Sequence, residues 1–169
     1  MLFSRDTAGF LNVIEANKGI IYKVANAYCY DVENRKDLIQ EITIQLWLAF
    51  PKYDEHFMIS TWMYRIALNV SISFYRKQTT IIKLSQPLTT EILSLLTDDS
   101  PLESDSELSL LYSFIRELNE LDRALILLYL EERSQQEIAD ILGITPSNVS
   151  TKVVRIKEKL RKKFSTLKS

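Results

Sequence analysis

An all-α fold, made of two small helical bodies joined by a linker, is predicted by three features of the 169-residue chain. Apolar residues recur at helical spacing along most of its length, and strand-type alternation is absent. Gly9, Gly19 and Gly143 are the only glycines, so β architectures and glycine-rich phosphate loops both lose support. An interval bearing Pro87, Pro101 and a run of acids then divides the helical pattern in two. A hydrophobic fraction of 46% is enough to give each body a packed core.

The first helix is expected over residues 7 to 30, with an apolar set of Phe10, Leu11, Ile14, Ile20, Ile21, Val24, Ala25 and Tyr28 that packs on the helix after it. The next, from Asp37 to Phe50, carries Leu38, Ile39, Ile42, Ile44, Leu46, Trp47, Leu48 and Phe50. That is more apolar surface than one buried stripe uses, so part of it is expected to meet another protein. Asp37, Gln40 and Glu41 fall at i, i+3 and i+4 and share one face, giving this docking helix an acidic-polar edge.

Pro51 breaks the helix, and the alternately polar and aromatic stretch to Met58 reads as a loop. Ser60 or Thr61 is the expected cap of a helix from about 61 to 77, with Arg76 and Lys77 at its cation-favouring end. These elements make a domain over 1–78. Residues 79–106 form the linker, with a short helical turn expected at 92–96, and 107–169 form a second domain. Helices are expected there at about 107–117, 120–131, 134–142 and 146–164.

The last two helices carry a helix-turn-helix pattern. Ala139 is small where helices cross, Gly143 can adopt the left-handed conformation of the turn, and Val149 returns to the core ten residues after the alanine. Thr145 is placed as N-cap and Pro146 at the first helical position. Val149, Val153, Ile156 and Leu160 define the buried stripe, leaving Ser147, Asn148, Ser150, Thr151, Lys152 and Arg155 on the faces beside it. Short hydrogen-bonding groups plus cations are what a helix entering the major groove presents.

A net charge of -1 conceals a strong asymmetry. From Lys152 onward Glu158 is the only acid among eight cations, whereas between residues 79 and 109 Lys83 faces six acids. A polyanionic partner is therefore expected at one end only. One cysteine, Cys29, excludes an internal disulfide, and no segment reads as a signal peptide or membrane span, so the cytoplasm is the expected compartment. With a single histidine, His56, and no clustered ligands, the sequence supplies neither a catalytic constellation nor a metal or cofactor site.

Taken together, the Asp37–Leu38–Ile39–Gln40–Glu41 and Leu46–Trp47 motifs, the run from Ser60 to Asn69, and the segment from Ser134 to Phe164 resemble the extracytoplasmic-function group of bacterial RNA polymerase sigma factors. The resemblance covers nearly the whole chain and leaves no room for the large intermediate domain of housekeeping members. It implies that Asp37, Gln40, Glu41 and Trp47 contact the clamp helices of the polymerase β′ subunit. Tyr53, Phe57, Trp62, Arg65, Asn69, Ser73, Arg76 and Lys77 would hold the melted minus-10 element. The recognition helix, through Ser147, Asn148, Ser150, Thr151, Lys152 and Arg155, would read the minus-35 element.

Aromatic rings replace lost base stacking at roughly 1–3 kcal/mol per base, and Tyr53, Phe57 and Trp62 are the rings available; a tryptophan at helical spacing is also a common core residue. The resemblance further implies that the helix-turn-helix domain meets the polymerase β flap, that an anti-sigma factor covers the exposed faces, and that there is no small-molecule substrate. Three positions depart from the family pattern. Ile59 stands where an aromatic is usual, Glu132 and Arg133 where a glycine and an apolar residue are common before Ser134, and Ser150 where many members carry a base-reading cation. A stand-alone helix-turn-helix regulator explains the C-terminal half equally well. It does not explain the second arginine-and-aromatic helix beside the docking helix.

Overall fold

Side-chain caps set most of the helix starts in the computed structural model, which describes residues 5–84 and 106–168. Asp6 accepts a hydrogen bond from the Gly9 amide and starts α1 (Thr7–Tyr28). The helix kinks at Asn17, whose side-chain amide donates to the Val13 carbonyl at 2.9 Å instead of leaving the backbone ladder undisturbed. Its C-terminal end is held by Arg35, which donates to the carbonyls of Cys29 and Tyr30 at 3.1 and 2.8 Å.

Asp31 then caps α2 (Val32–Ala49), so the docking helix begins about a turn and a half before Asp37. A short 3-10 turn (Phe50–Lys52) follows, with Pro51 in its first turn. The third helix, α3, spans Ile59–Leu84. It starts at Ile59, with the Trp62 amide bonded to the Met58 carbonyl at 3.1 Å. Ser60 and Thr61, expected as caps, are instead buried inside its first turn. The helix also runs six residues past 78, into the segment read as linker. The rest of that segment up to residue 105, including the turn expected at 92–96, lies outside the described residues.

The chain divides into two compact units, Met1–Pro101 and Leu102–Ser169. In the first, α1, α2 and α3 all pack on one another. Val13, Val24, Ala25, Leu38, Ile42, Leu46, Phe50, Met63, Tyr64, Ala67 and Leu68 are buried between them. Each Val, Leu, Ile, Met or Phe among them contributes about 1.5–3 kcal/mol relative to exposure.

The second unit contains α4 (Ser106–Arg116), α5 (Glu120–Leu130), α6 (Gln135–Leu142) and α7 (Pro146–Lys168). Asn119 caps α5, and Ser134 forms a reciprocal capping box with Glu137 at the start of α6. The core is a leucine-rich row on α5 packed against Ile138, Ala139 and Ile141 of α6 and Val149, Val153, Ile156 and Leu160 of α7. Phe114 and Phe164 meet edge to face at 5.0 Å, joining α4 to the end of α7.

Inside this unit Arg123 is almost fully enclosed, with 1% of its surface exposed. Its guanidinium donates to the carbonyl of Leu118 at 3.0 Å and also to that of Arg116. It thereby satisfies the orphan carbonyls where α4 ends and fixes the α4–α5 corner.

The helix-turn-helix forms as its three steric requirements demand. Ala139 is buried where α6 meets α7, and Gly143 has φ 70° and donates to the Ala139 carbonyl at 2.8 Å. Thr145 accepts from the Asn148 amide at 3.2 Å, capping α7 with Pro146 at its first position. One turn earlier the chain takes a second left-handed residue without glycine. Glu132 has φ 59° and its amide bonds to the Tyr129 carbonyl. This is where the resembled family often has glycine, so the turn is kept at the cost of side-chain strain, about 1 kcal/mol.

Candidate polymerase and promoter interfaces

In α2 the apolar surplus divides as expected of a docking helix. Leu38, Ile42 and Leu46 are fully buried, whereas Ile44, Trp47 and Leu48 are 46%, 42% and 62% exposed. Trp47 is not a free ring. It meets Phe10 edge to face at 5.1 Å, which fixes its orientation and leaves the remainder facing outward. Asp37, Gln40 and Glu41 are all exposed beside it, and Glu41 accepts from the Gln45 amide at 3.2 Å.

A groove of about 660 Å³ runs between α2 and α3. Asp37, Gln40, Glu41, Ile44 and Gln45 line one wall, and Asn69, Val70, Ser73, Phe74 and Lys77 line the other. Residues that sequence reasoning assigned to two different partners are thus brought to one place. Ile44 and Gln45 were missed as members, because only helix pairing shows that they face α3.

On α3 the spacing of Trp62, Arg65, Asn69, Ser73 and Arg76 is 3, 4, 4 and 3, and Lys77 lies beside the last. They form a single ridge. Asn69, Ser73, Arg76 and Lys77 are exposed, while Trp62 and Arg65 are half-buried.

The loop preceding that ridge is closed on itself. Tyr53 is 4% exposed, its ring lies 5.2 Å from Trp62, and its hydroxyl donates to the Phe57 carbonyl. Burial raises the Tyr53 phenol pKa. Trp62 is further packed against Phe50 at 6.2 Å. The rings of Tyr53 and Trp62 are therefore the loop's anchor rather than free stacking faces. Tyr53 was expected to be available to a base, and long-range packing against Trp62 is what removes it.

Phe57 remains, 41% exposed, with the Arg65 guanidinium 5.1 Å from its ring centre. Arg5 was also missed. It reaches across the sequence to donate to the Pro51 and Tyr53 carbonyls at 2.6 and 3.0 Å, tying the loop base to the N-terminal segment.

His56 and Asp54 form the loop's exposed ion pair, with ring nitrogen and carboxylate 2.7 Å apart. That hydrogen bond, helped by the nearby charge of Asp54 and then of Glu55, raises the His56 pKa above 6.5. Asp54 is lowered, first by the His56 amide and then by the ring. A raised histidine stabilises the folded loop fully below the unfolded pKa and loses that contribution as pH rises through the folded one. NMR titration of His56 should thus give a midpoint above 6.5, falling in Asp54→Asn. A wild-type midpoint at or below 6.5 would show that the pair does not form.

In the second unit Ser147, Asn148, Thr151 and Arg155 are exposed on α7, and Ser150 and Lys152 are half-buried on either side of them. The Thr151 hydroxyl is turned inward to the Ser147 carbonyl at 3.0 Å. A separate groove of about 480 Å³, lined by Ile126, Tyr129, Leu130, Leu160 and Phe164 with Lys157, Arg161 and Lys168 at its edge, opens between α5 and α7. Among the described residues no group of His, Cys, Asp and Glu is arranged to hold a metal ion, and no helix is long and apolar enough to cross a membrane.

A helical unit with an acidic-apolar docking wall and a polar, cationic ridge, carried on the same chain as a complete helix-turn-helix, defines a two-headed promoter-binding class. The comparisons agree. The Sigma-70 region 2 model matches residues 13–81 and the Sigma-70, region 4 model matches residues 108–160. The chain belongs to the extracytoplasmic-function (ECF) family of RNA polymerase sigma factors, which are transcription initiation factors.

Among its relatives, ECF RNA polymerase sigma factor SigW of Bacillus subtilis is 30% identical over 172 residues, spanning 96% of this chain and 92% of the relative. SigM of the same organism is 25% identical, spanning 83% and 86%. Two solved structures share the fold at a TM-score of 0.67. One is CnrH with the cytosolic domain of CnrY, at 18% identity and 95% and 90% coverage. The other is the sigma factor RpoE with the anti-sigma factor NepR from Bartonella quintana, at 17% identity and 90% and 91% coverage.

Proposed function

We propose a division of the sigma-factor activity among these surfaces. Asp37, Gln40, Glu41 and Trp47 dock on the clamp helices of the polymerase β′ subunit, with Ile44 and Leu48 supplying the apolar centre of the contact. The observation that carries this is the exposure of Ile44, Trp47 and Leu48 next to a polar edge on a helix whose other side is fully committed to the core. Apolar centres ringed by polar groups are the usual anatomy of a protein interface.

The α3 ridge takes the melted minus-10 strand. Phe57 offers the stacking face, Tyr53 and Trp62 hold the loop that presents it, and Arg65, Asn69, Ser73, Arg76 and Lys77 run along the phosphates and base edges. Because Asn69, Ser73 and Lys77 share a groove with Gln40 and Glu41, strand and polymerase meet along one seam. The α7 face of Ser147, Asn148, Ser150, Thr151, Lys152 and Arg155 reads the minus-35 duplex. The apolar groove between α5 and α7 receives the polymerase β flap.

Residues 1–78, 79–106 and 107–169 act as minus-10 head, linker and minus-35 head, and the acidic linker follows the RNA-exit path. The protein works in the cytoplasm, without catalytic chemistry, cofactor or small-molecule substrate. Two relatives of the same fold are held with CnrY and with NepR, which supports an anti-sigma factor as the cover for the exposed apolar faces when polymerase is absent.

Promoter DNA mobility with and without core enzyme tests the whole reading. The chain alone should shift duplex promoter DNA weakly, and addition of core should give a complex that starts transcripts. Strong, sequence-specific binding by the chain alone, unchanged by core, would favour a stand-alone regulator.

A further inference from the structure

Beyond the residues assigned to base reading, the outer face of α7 continues as a row of cations. Lys152, Arg155, Lys159 and Lys162 recur at 3, 4 and 3, with Asn148 leading the row, so all of them share one face of the helix. The core stripe of Val149, Val153, Ile156 and Leu160 lies about a quarter turn to one side. Arg155, Lys159 and Lys162 are exposed, and no cation of the row has a side-chain hydrogen-bond or ion-pair partner among the described residues. Cations on the flanks behave differently. Lys157 donates to the Tyr129 hydroxyl at 3.2 Å, and Lys163 is paired with Glu117 and lies over Phe114.

Length decides what the row can reach. From Lys152 to Lys162 it extends about 15 Å along the axis, whereas the major groove is about 12 Å wide. A helix that ends its base contacts at Arg155 carries the next two cations beyond the groove mouth, where the only groups a B-form duplex offers are rim phosphates.

We infer that Lys159 and Lys162 bind the phosphate backbone flanking the minus-35 element, enlarging the footprint of the second unit beyond its base contacts. This inference rests on the minus-35 reading proposed above. The contacts carry no sequence information, so they add affinity at any promoter and make that affinity salt-dependent.

The test is the salt dependence of holoenzyme binding to a promoter duplex, compared between wild type and Lys159→Gln/Lys162→Gln. Each phosphate contact contributes about 0.9 to the slope of log K against log salt, so the double variant should reduce the slope by about 2. Base preference at minus-35 should be retained, and the melting temperature of the free protein should be unchanged. Lys159→Arg/Lys162→Arg should keep the wild-type slope. On duplexes trimmed to the edges of the minus-35 element the two proteins should bind alike. An unchanged slope in the glutamine variant, with minus-35 still protected, overturns the inference alone, as does a lost base preference. Failure of wild-type holoenzyme to protect minus-35 overturns the underlying reading instead.

Discussion

Replacing Gln40 and Glu41 together by alanine is expected to weaken association with core polymerase by at least about 100-fold, or roughly 2.7 kcal/mol, while the protein stays folded. Both side chains are exposed on the outer wall of α2. Glu41 has one described partner, the amide of Gln45 one turn away. Alanine is a better helix former than either residue, so α2 loses nothing intrinsic. At an interface the arithmetic differs, because removing polar groups that ring an apolar centre leaves partner cations unpaired and lets water reach Ile44, Trp47 and Leu48. Titration of labelled core enzyme, with a thermal melt as control, measures both quantities. Wild-type affinity in the double variant would move the docking surface elsewhere.

The second large effect is internal. Arg123→Ala should destabilise the helix-turn-helix unit by on the order of 3–5 kcal/mol, because two carbonyls at the end of α4 lose charge-assisted bonds and a buried volume is left empty. For a unit of this size, whose total stability at roughly 0.1 kcal/mol per residue is only several kcal/mol, that is most of the margin. Hydrogen exchange should then show α5 to α7 losing protection while α1 to α3 keep theirs. Minus-35 binding should fall even though no DNA-facing residue has changed. Arg123→Lys should rescue little, since both carbonyls are reached by one terminal guanidinium nitrogen, Nη2, and the lysine side chain is a bond shorter. A loss below about 1 kcal/mol in Arg123→Ala would show that the α4–α5 corner does not depend on this residue.

What the sequence disclosed followed from how local each requirement is. The helix-turn-helix was legible because Ala139, Gly143, Thr145, Pro146 and Val149 each meet a different short-range demand, and all fall in one register. The docking helix was legible from its surplus of apolar residues, though not its start. The polar turn after Asp31 reads as loop until Asp31 is seen capping it. Ser60 and Thr61 look like caps by residue type but are drawn into the core of the first unit.

Nonlocal packing hid the rest. Tyr53 is committed by a contact with Trp62, and the loop base by Arg5 from 46 to 48 residues away. Arg123 reads as a surface charge because nothing in its neighbours reveals that α4 ends against it. The joining of Gln40 and Glu41 with Asn69 and Ser73 in one groove depends on how α2 and α3 pair, which residue spacing within either helix does not encode.

Dependence on core polymerase is the most direct test of the central claim, that two heads on one chain become a promoter reader only when the enzyme holds them. Core enzyme, this protein and a promoter pool should together yield transcripts from discrete starts, with neither protein sufficient alone. No transcripts with core present, alongside tight and specific duplex binding by the chain by itself, would contradict it.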